Sequence, residues 1–294
     1  MSSQSRVSQK SHEEIEKYWT PERREKAIER PFEPTDLPPS TLPPPGGEEA
    51  QDFPGHDPHR ERDRTTAGGV KTEGLVAARL VPDPDVYPWR AIGKLFFTAD
   101  GVDYVGSACV ISRDGLLTAA HNLYDVRTKT WSDDLWFYPA YNGGSSVYGS
   151  WRWDKMWVPD EWSKLDQEAY DVGLLRMRTS GGRSVGDVVG WLGYSVDRTV
   201  ERSWIDVGYP SDEYEGKRMM EEEGAYTRML DSNKVVGKQG NMSGGASGGP
   251  WLLYGNKALV NGLHSFRRAK KYPGEVFSPY FATWVVEFIR SHLG

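Results

Sequence analysis

The chain has 294 residues, 37% of them hydrophobic and 12% aromatic, enough apolar surface for a sizeable core in one large or two small domains. Its formal net charge of -6 does not supply the basic surface that non-specific nucleic-acid binding requires. The single cysteine, Cys109, excludes an internal disulfide and a zinc site built on several thiolates.

The first ten residues carry no apolar stretch of the secretory kind. No run of about 18 apolar residues, the length needed to span a bilayer, follows anywhere. The default expectation is an intracellular protein without a membrane segment. Ser11, with Glu14 three residues later, forms a capping-box pattern that predicts a short helix over 11–17. Most of the 19 prolines precede residue 89, and all but one of the 12 tryptophans follow residue 88. The early segment holds Pro38-Pro39, Pro43-Pro-Pro-Gly-Gly47 and the charged run Arg60-Glu-Arg-Asp-Arg64. Such a composition buries too little apolar surface to offset the entropy of ordering, so residues 1–87 are expected to be a mostly disordered tail. His56 and His59 within it have no clear further ligands and read as solvated.

From residue 88 the pattern changes to short apolar runs broken by glycine and turn residues. These include Ile92–Phe97, Tyr104–Ile111, Leu135–Tyr138, Val172–Leu175, Trp251–Tyr254 and Ala258–Leu263. Trp151, Trp153 and Trp157 alternate with polar residues at a strand-like period of two. Cys109 lies in an apolar strand and reads as a packed thiol. Glu221-Glu222-Glu223 reads as a solvated turn. Near the end, Trp284, Val285, Phe288 and Ile289 fall on one helical face. Residues 88–294 therefore read as an all-β barrel or sandwich closed by a C-terminal helix, with no internal repeat.

Three short segments carry candidate chemistry. In Gly244-Gly-Ala-Ser247-Gly-Gly-Pro250, glycines permit positive φ and close backbone approach to a ligand. A loop of this kind can turn the amides of Gly245 and Ser247 toward one point, as an oxyanion hole requires. The apolar strand that follows argues against a flexible linker. In Leu116-Leu-Thr-Ala-Ala-His121, small residues leave room for an imidazole that could serve as a general base. A strand-end histidine is also a common structural feature. In Tyr170-Asp171-Val-Gly-Leu-Leu175, a carboxylate beside an apolar run needs a partner, because an unpaired buried charge is costly. Asp125 and Asp166 are its rivals.

Thr118-Ala-Ala-His121, Tyr170-Asp-Val-Gly-Leu-Leu175 and Gly245-Ala-Ser-Gly-Gly-Pro250, in that order, resemble the trypsin/chymotrypsin-like serine protease family over roughly 88–294. The resemblance implies two six-stranded antiparallel β-barrels. His121 and Asp171 would come from the first, with Ser247 as nucleophile and His121 as base. Asp171 would orient the base, and Gly245 and Ser247 would form the oxyanion hole. It implies a monomer acting on polypeptide substrates, with no nucleic acid, membrane, metal or cofactor involved. Two departures point to the microbial glutamyl-endopeptidase-like (V8-like) branch. Ala246 stands where trypsin-like zymogens carry the aspartate of their activation switch, and Asn122 stands where a cysteine usually follows the histidine. In that branch His264 would receive a substrate glutamate in the S1 pocket, Ser265 would support the catalytic carboxylate, and Ser243 could add a pocket hydroxyl. Tyr18-Trp-Thr-Pro-Glu-Arg23 resembles a motif of microbial pro-segments. The tail would then be pro-segment-like, with processing in 70–91, and secretion would replace the intracellular default.

Two other functions fit parts of the pattern. Gly245-Ala-Ser-Gly-Gly249 also satisfies an esterase nucleophile elbow, but that fold needs an acid and then a histidine after the serine, and no aspartate follows Ser247. A catalytically silent homologue acting as a binding module would be marked by loss of a triad residue, and all three are present.

Overall fold

The computed structural model describes residues 1–47, 49–59, 76–253 and 255–294. Its first barrel closes. Trp151–Pro159 pairs with Asp133–Pro139, and pairing then runs through Ile92–Ala99, Val102–Val110 and Gly115–Thr118 to Gly173–Met177. The last strand returns to pair with Trp151–Pro159, so all six neighbours in the ring are antiparallel. Every residue of Ile92–Ala99 is buried, which explains why that strand reads as a nearly continuous apolar run rather than an alternation. The tryptophans at 151, 153 and 157 are buried in the strand their spacing predicts.

The second sheet supplies the strands of the second antiparallel barrel. Its path runs from Phe266–Arg267 through Glu275–Pro279, Val235–Gln239, Met220–Leu230, Ser203–Gly208 and Pro250–Leu253 to Asn256–Leu263. There the edge is taken by Gly193–Val196, paired in parallel, and then by Gln51–Phe53. Phe266–Arg267 follows Asn256–Leu263 in the chain and pairs with Glu275–Pro279, and Ser265 N donates to Phe277 O at 3.0 Å. The helix Thr283–Leu293 buries Val285, Val286, Phe288 and Ile289, and His292 stacks on Trp157 at 5.0 Å, so the chain ends against the first barrel.

The described residues of the N-terminal segment carry regular elements where composition predicts a mostly disordered tail. Ser3–Val7 adds an antiparallel strand to Trp151–Pro159. The capping box at Ser11 is formed, and it starts the helix His12–Tyr18. A second helix covers Pro21–Lys26. Ile28–Glu29 then pairs in parallel with Val102–Val110. Ile15 and Trp19 are fully buried, and Trp19 Nε1 donates to Asp134 O at 2.6 Å. A segment of this composition could not build a core of its own. It instead lends two apolar anchors and two short strands to the first barrel, which demands far less burial per residue. The charged run Arg60–Arg64, and residues 70–75 of the expected processing region, lie outside the described residues.

Cys109 is buried, and burial pushes its thiol up. His56 is exposed beside Trp191, and His59 Nε2 lies 3.1 Å from Val188 O. Among the described residues no group of three or more His, Cys, Asp or Glu could hold a metal ion. Glu221, Glu222 and Glu223 do not form a solvated turn: all three are buried in the strand Met220–Leu230. Glu222 accepts from the amides of Asn241 and Met242 and faces Lys238, and Glu221 pairs with Arg79. Buried carboxylates persist where donors satisfy them.

Candidate active site

The strand Gly115–Thr118 ends at Ala119, and a tight turn, Ala120–Asn122, carries His121. Ala119 and Ala120 are fully buried, and their small side chains let that turn fold back against the domain interface. Asp171 closes the turn Glu168–Tyr170, two residues before the strand Gly173–Met177. Its carboxylate is fully buried. It accepts from His121 N at 2.8 Å, lies 2.8 Å from His121 Nδ1, and accepts from the Ser265 hydroxyl. Three donors on one carboxylate offset the cost of its burial. The rivals are engaged elsewhere or alone: Asp125 accepts from the amides of Arg127 and Thr128, and burial pushes Asp166 up.

The segment 244–250 comes from the second barrel, and two first-barrel residues hold it. Ser107 N donates to Ser247 O at 2.8 Å, and the Ser107 hydroxyl donates to Gly245 O at 2.8 Å. Asn122 Nδ2 donates to Ser247 O at 2.9 Å and to Thr118 Oγ1 at 3.0 Å. A polar clamp thus spans the barrels at the position where the resemblance would have placed a disulfide cysteine. Neither Ser107 nor the clamp role of Asn122 was read from sequence, because a lone serine or asparagine carries no pattern.

Gly245 and Gly248 have φ of +90° and +86°. A Cβ at Gly248 would fall 2.1 Å from Thr118 Oγ1 and 2.4 Å from Ser107 O. Gly248→Ala is therefore expected to cost about 2–4 kcal/mol of stability through left-handed strain and overlap. A denaturant titration measures it, and a change below about 0.5 kcal/mol would contradict this geometry. The amides of Gly245 and Ser247 donate to no acceptor among the described residues. Ser247 is partly exposed, and His121 Nε2 is buried with no hydrogen-bond partner.

The chain is 28% identical over 144 residues to the glutamyl endopeptidase of Bacillus licheniformis, covering 46% of this chain and 41% of that protein. The protease Anisep from Arthrobacter nicotinovorans superposes with a TM-score of 0.63 at 28% identity, over 69% of this chain and 94% of its own. The fold is that of the chymotrypsin-like serine proteases. A Glu endopeptidase structure agrees in fold at 21% identity, with a TM-score of 0.61 over 76% of this chain and 97% of its own. The chain spans about two fifths of the length of the curated relatives it matches. No protein-family model matches it.

Against this chymotrypsin-like frame, the segment after the second helix stands out. Phe32 stacks on the His121 ring with centroids 4.7 Å apart and planes 7° from parallel. Arg30 donates to His121 O and to the Ser132 hydroxyl, both at 2.9 Å, and lies 3.5 Å from Asp125. The Glu29 carboxylate rests on Gly244, where a Cβ would fall 2.3 Å from it. Beside it, a cavity of about 520 Å³ is lined in part by Ile28, Glu29, Lys94, Tyr141, Ser211 and Lys217. Residues 28–32 therefore lie over both His121 and the serine loop. The sequence held one weak signal of this, the isolated Pro31-Phe32 in a polar stretch.

His264 follows the strand Asn256–Leu263. Its amide donates to Gly249 O, and its carbonyl accepts from Gly248 N, each at 2.8 Å, which fixes it beside the serine loop. Its ring is buried, with Nδ1 2.7 Å from Asp206 Oδ2. Ser265 reaches Asp171, as the resemblance implies. The Ser243 hydroxyl bonds Asp212. Arg267 bonds Asn241 O at 2.9 Å.

Proposed function

We propose that this chain is a serine endopeptidase that cleaves peptide bonds through an acyl-enzyme and prefers an acidic P1 residue, and that its N-terminal segment holds it latent. Ser247 Oγ attacks the scissile carbonyl as His121 Nε2 takes its proton, and Asp171 keeps Nδ1 protonated and the ring oriented. The amides of Gly245 and Ser247 receive the oxyanion, worth about 3 kcal/mol per donor. Water then releases the acyl group, with His121 again as base.

The observation that carries this reading is the Asp171 carboxylate, buried and bonded at once by His121 N, His121 Nδ1 and Ser265, which directs Nε2 away from it. The similarity to a glutamyl endopeptidase and the position of His264 support the acidic P1 preference. Phe32 over His121 supports latency.

A fluorophosphonate probe tests the nucleophile. Labelling of the wild-type chain, enhanced in Phe32→Ala and absent in Ser247→Ala, is the expected pattern. Labelling of Ser247→Ala at the wild-type level would assign the nucleophile elsewhere.

A further inference from the structure

The strand Ser203–Gly208 places an aspartate, Asp206, inside the second sheet, where Trp204, Ile205 and Val207 around it are buried. Asp206 is fully buried, and its Oδ1 has no hydrogen-bond partner. Its Oδ2 lies 2.7 Å from His264 Nδ1 and 3.9 Å from Lys238 Nζ. Lys238, also fully buried, lies 4.0 Å from Glu222. These groups form a line of alternating charge through the sheet, ending at the His264 ring. Asp206, Glu222 and Glu223 all act on the one ammonium, so a proton on the imidazole reduces the excess negative charge of the buried set.

We propose that Asp206 is a positioning residue for P1 recognition: by holding Nδ1 it makes a hydrogen-bond donor at His264 Nε2 conditional on one titrating proton. This rests on the P1 reading above.

The chemistry follows from the inventory of an imidazole. An ionised Asp206 only accepts, so Nδ1 carries a proton. In the singly protonated ring Nε2 is then a bare acceptor, which repels a carboxylate and suits the amide of a P1 glutamine. With a second proton Nε2 becomes a charged donor that suits a P1 glutamate. Specificity between two isosteric side chains thereby becomes a function of pH. The charged and titratable groups around the ring are Asp206, with Lys238, Glu222 and Glu223 behind it, and Asp171 with His121 beyond Ser265. Burial pushes Glu222 above the ordinary carboxylate range and Lys238 below the ordinary ammonium range.

The test compares peptides identical except for Glu or Gln at P1, cleaved by the full chain between about pH 5.5 and 9, where a P1 glutamate stays ionised. The ratio of their kcat/KM values cancels both the titration of His121 and any latency, since both substrates use the same triad. The expected ratio falls by about tenfold per pH unit once the ring has titrated, with the change carried mainly by KM. In Asp206→Asn the Glu preference at the acidic end is expected to fall at least about tenfold, because the imidazolium loses its counter-charge. A Glu preference that does not vary with pH overturns the role of Asp206 while leaving the P1 reading intact. Absence of Glu preference at every pH, with P1-Phe or P1-Arg cleaved, defeats the P1 reading itself. Imidazole nitrogen NMR of the full chain gives an answer that needs neither turnover nor a stable variant. The neutral His264 ring should carry its proton on Nδ1, and a proton on Nε2 instead overturns the proposal.

Discussion

Ser247→Ala should reduce kcat by about 10⁵–10⁶-fold, and His121→Ala by nearly as much. The reason is that nucleophile and base act as one unit. Without Ser247 there is no acyl-enzyme, and without His121 the hydroxyl stays protonated at neutral pH. The double variant should be scarcely slower than either single one, because what remains is the oxyanion hole and substrate binding. Asp171→Asn should fall by about 10⁴-fold, since an amide there can hold the ring in the wrong tautomer. Ser265→Ala should cost far less, because the two bonds from His121 to Asp171 remain. Single-turnover kinetics on a P1-Glu ester would measure all five. A double variant slower by the product of the single losses would show that Ser247 and His121 are not partners. Wild-type rates in Ser247→Ala would remove the serine mechanism outright.

Phe32→Ala should raise the activity of the full chain by about tenfold or more. Phe32 buries the face of His121, and it also contacts Trp162 and Phe266 at centroid distances of 5.6 and 6.2 Å. Truncating such an aromatic anchor costs about 1.5–3 kcal/mol of the closed state. Each 1.4 kcal/mol shifts the balance between covered and open forms by about tenfold. Trp19 and the added strand Ser3–Val7 keep the rest of the segment docked, so the variant tests the cover rather than the fold. Arg30→Ala should act in the same direction, since Arg30 ties the segment to His121 O and Ser132. The rate of fluorophosphonate labelling reports the open fraction without involving the substrate pocket. Equal labelling rates in wild type and Phe32→Ala would mean that the segment does not restrict access to Ser247.

Much of the site was legible in the sequence because it is encoded locally. A glycine-flanked serine before an apolar strand, a histidine after small residues at a strand end, and an aspartate before an apolar run each have a reason that stays within a few residues. The closed first barrel was legible for the same reason, since burial on both faces leaves continuous apolar runs. Glu221–Glu223 misled because carboxylates in sequence look solvated, and only Lys238, Arg79 and the amides of Asn241 and Met242, brought from other strands or segments, make their burial tolerable.

What the sequence indicated by itself was therefore the set of candidate reacting groups and the β architecture of residues 88–294. What only the tertiary structure decided was who meets whom across the chain. Asn122 and Ser107 join the two barrels at the serine loop. Asp206 stands behind His264. Phe32, 89 residues before His121, lies flat on its ring. Local patterns record each residue's own backbone and burial needs, whereas these pairings are fixed by how separate elements pack, and no periodicity along the chain carries that information.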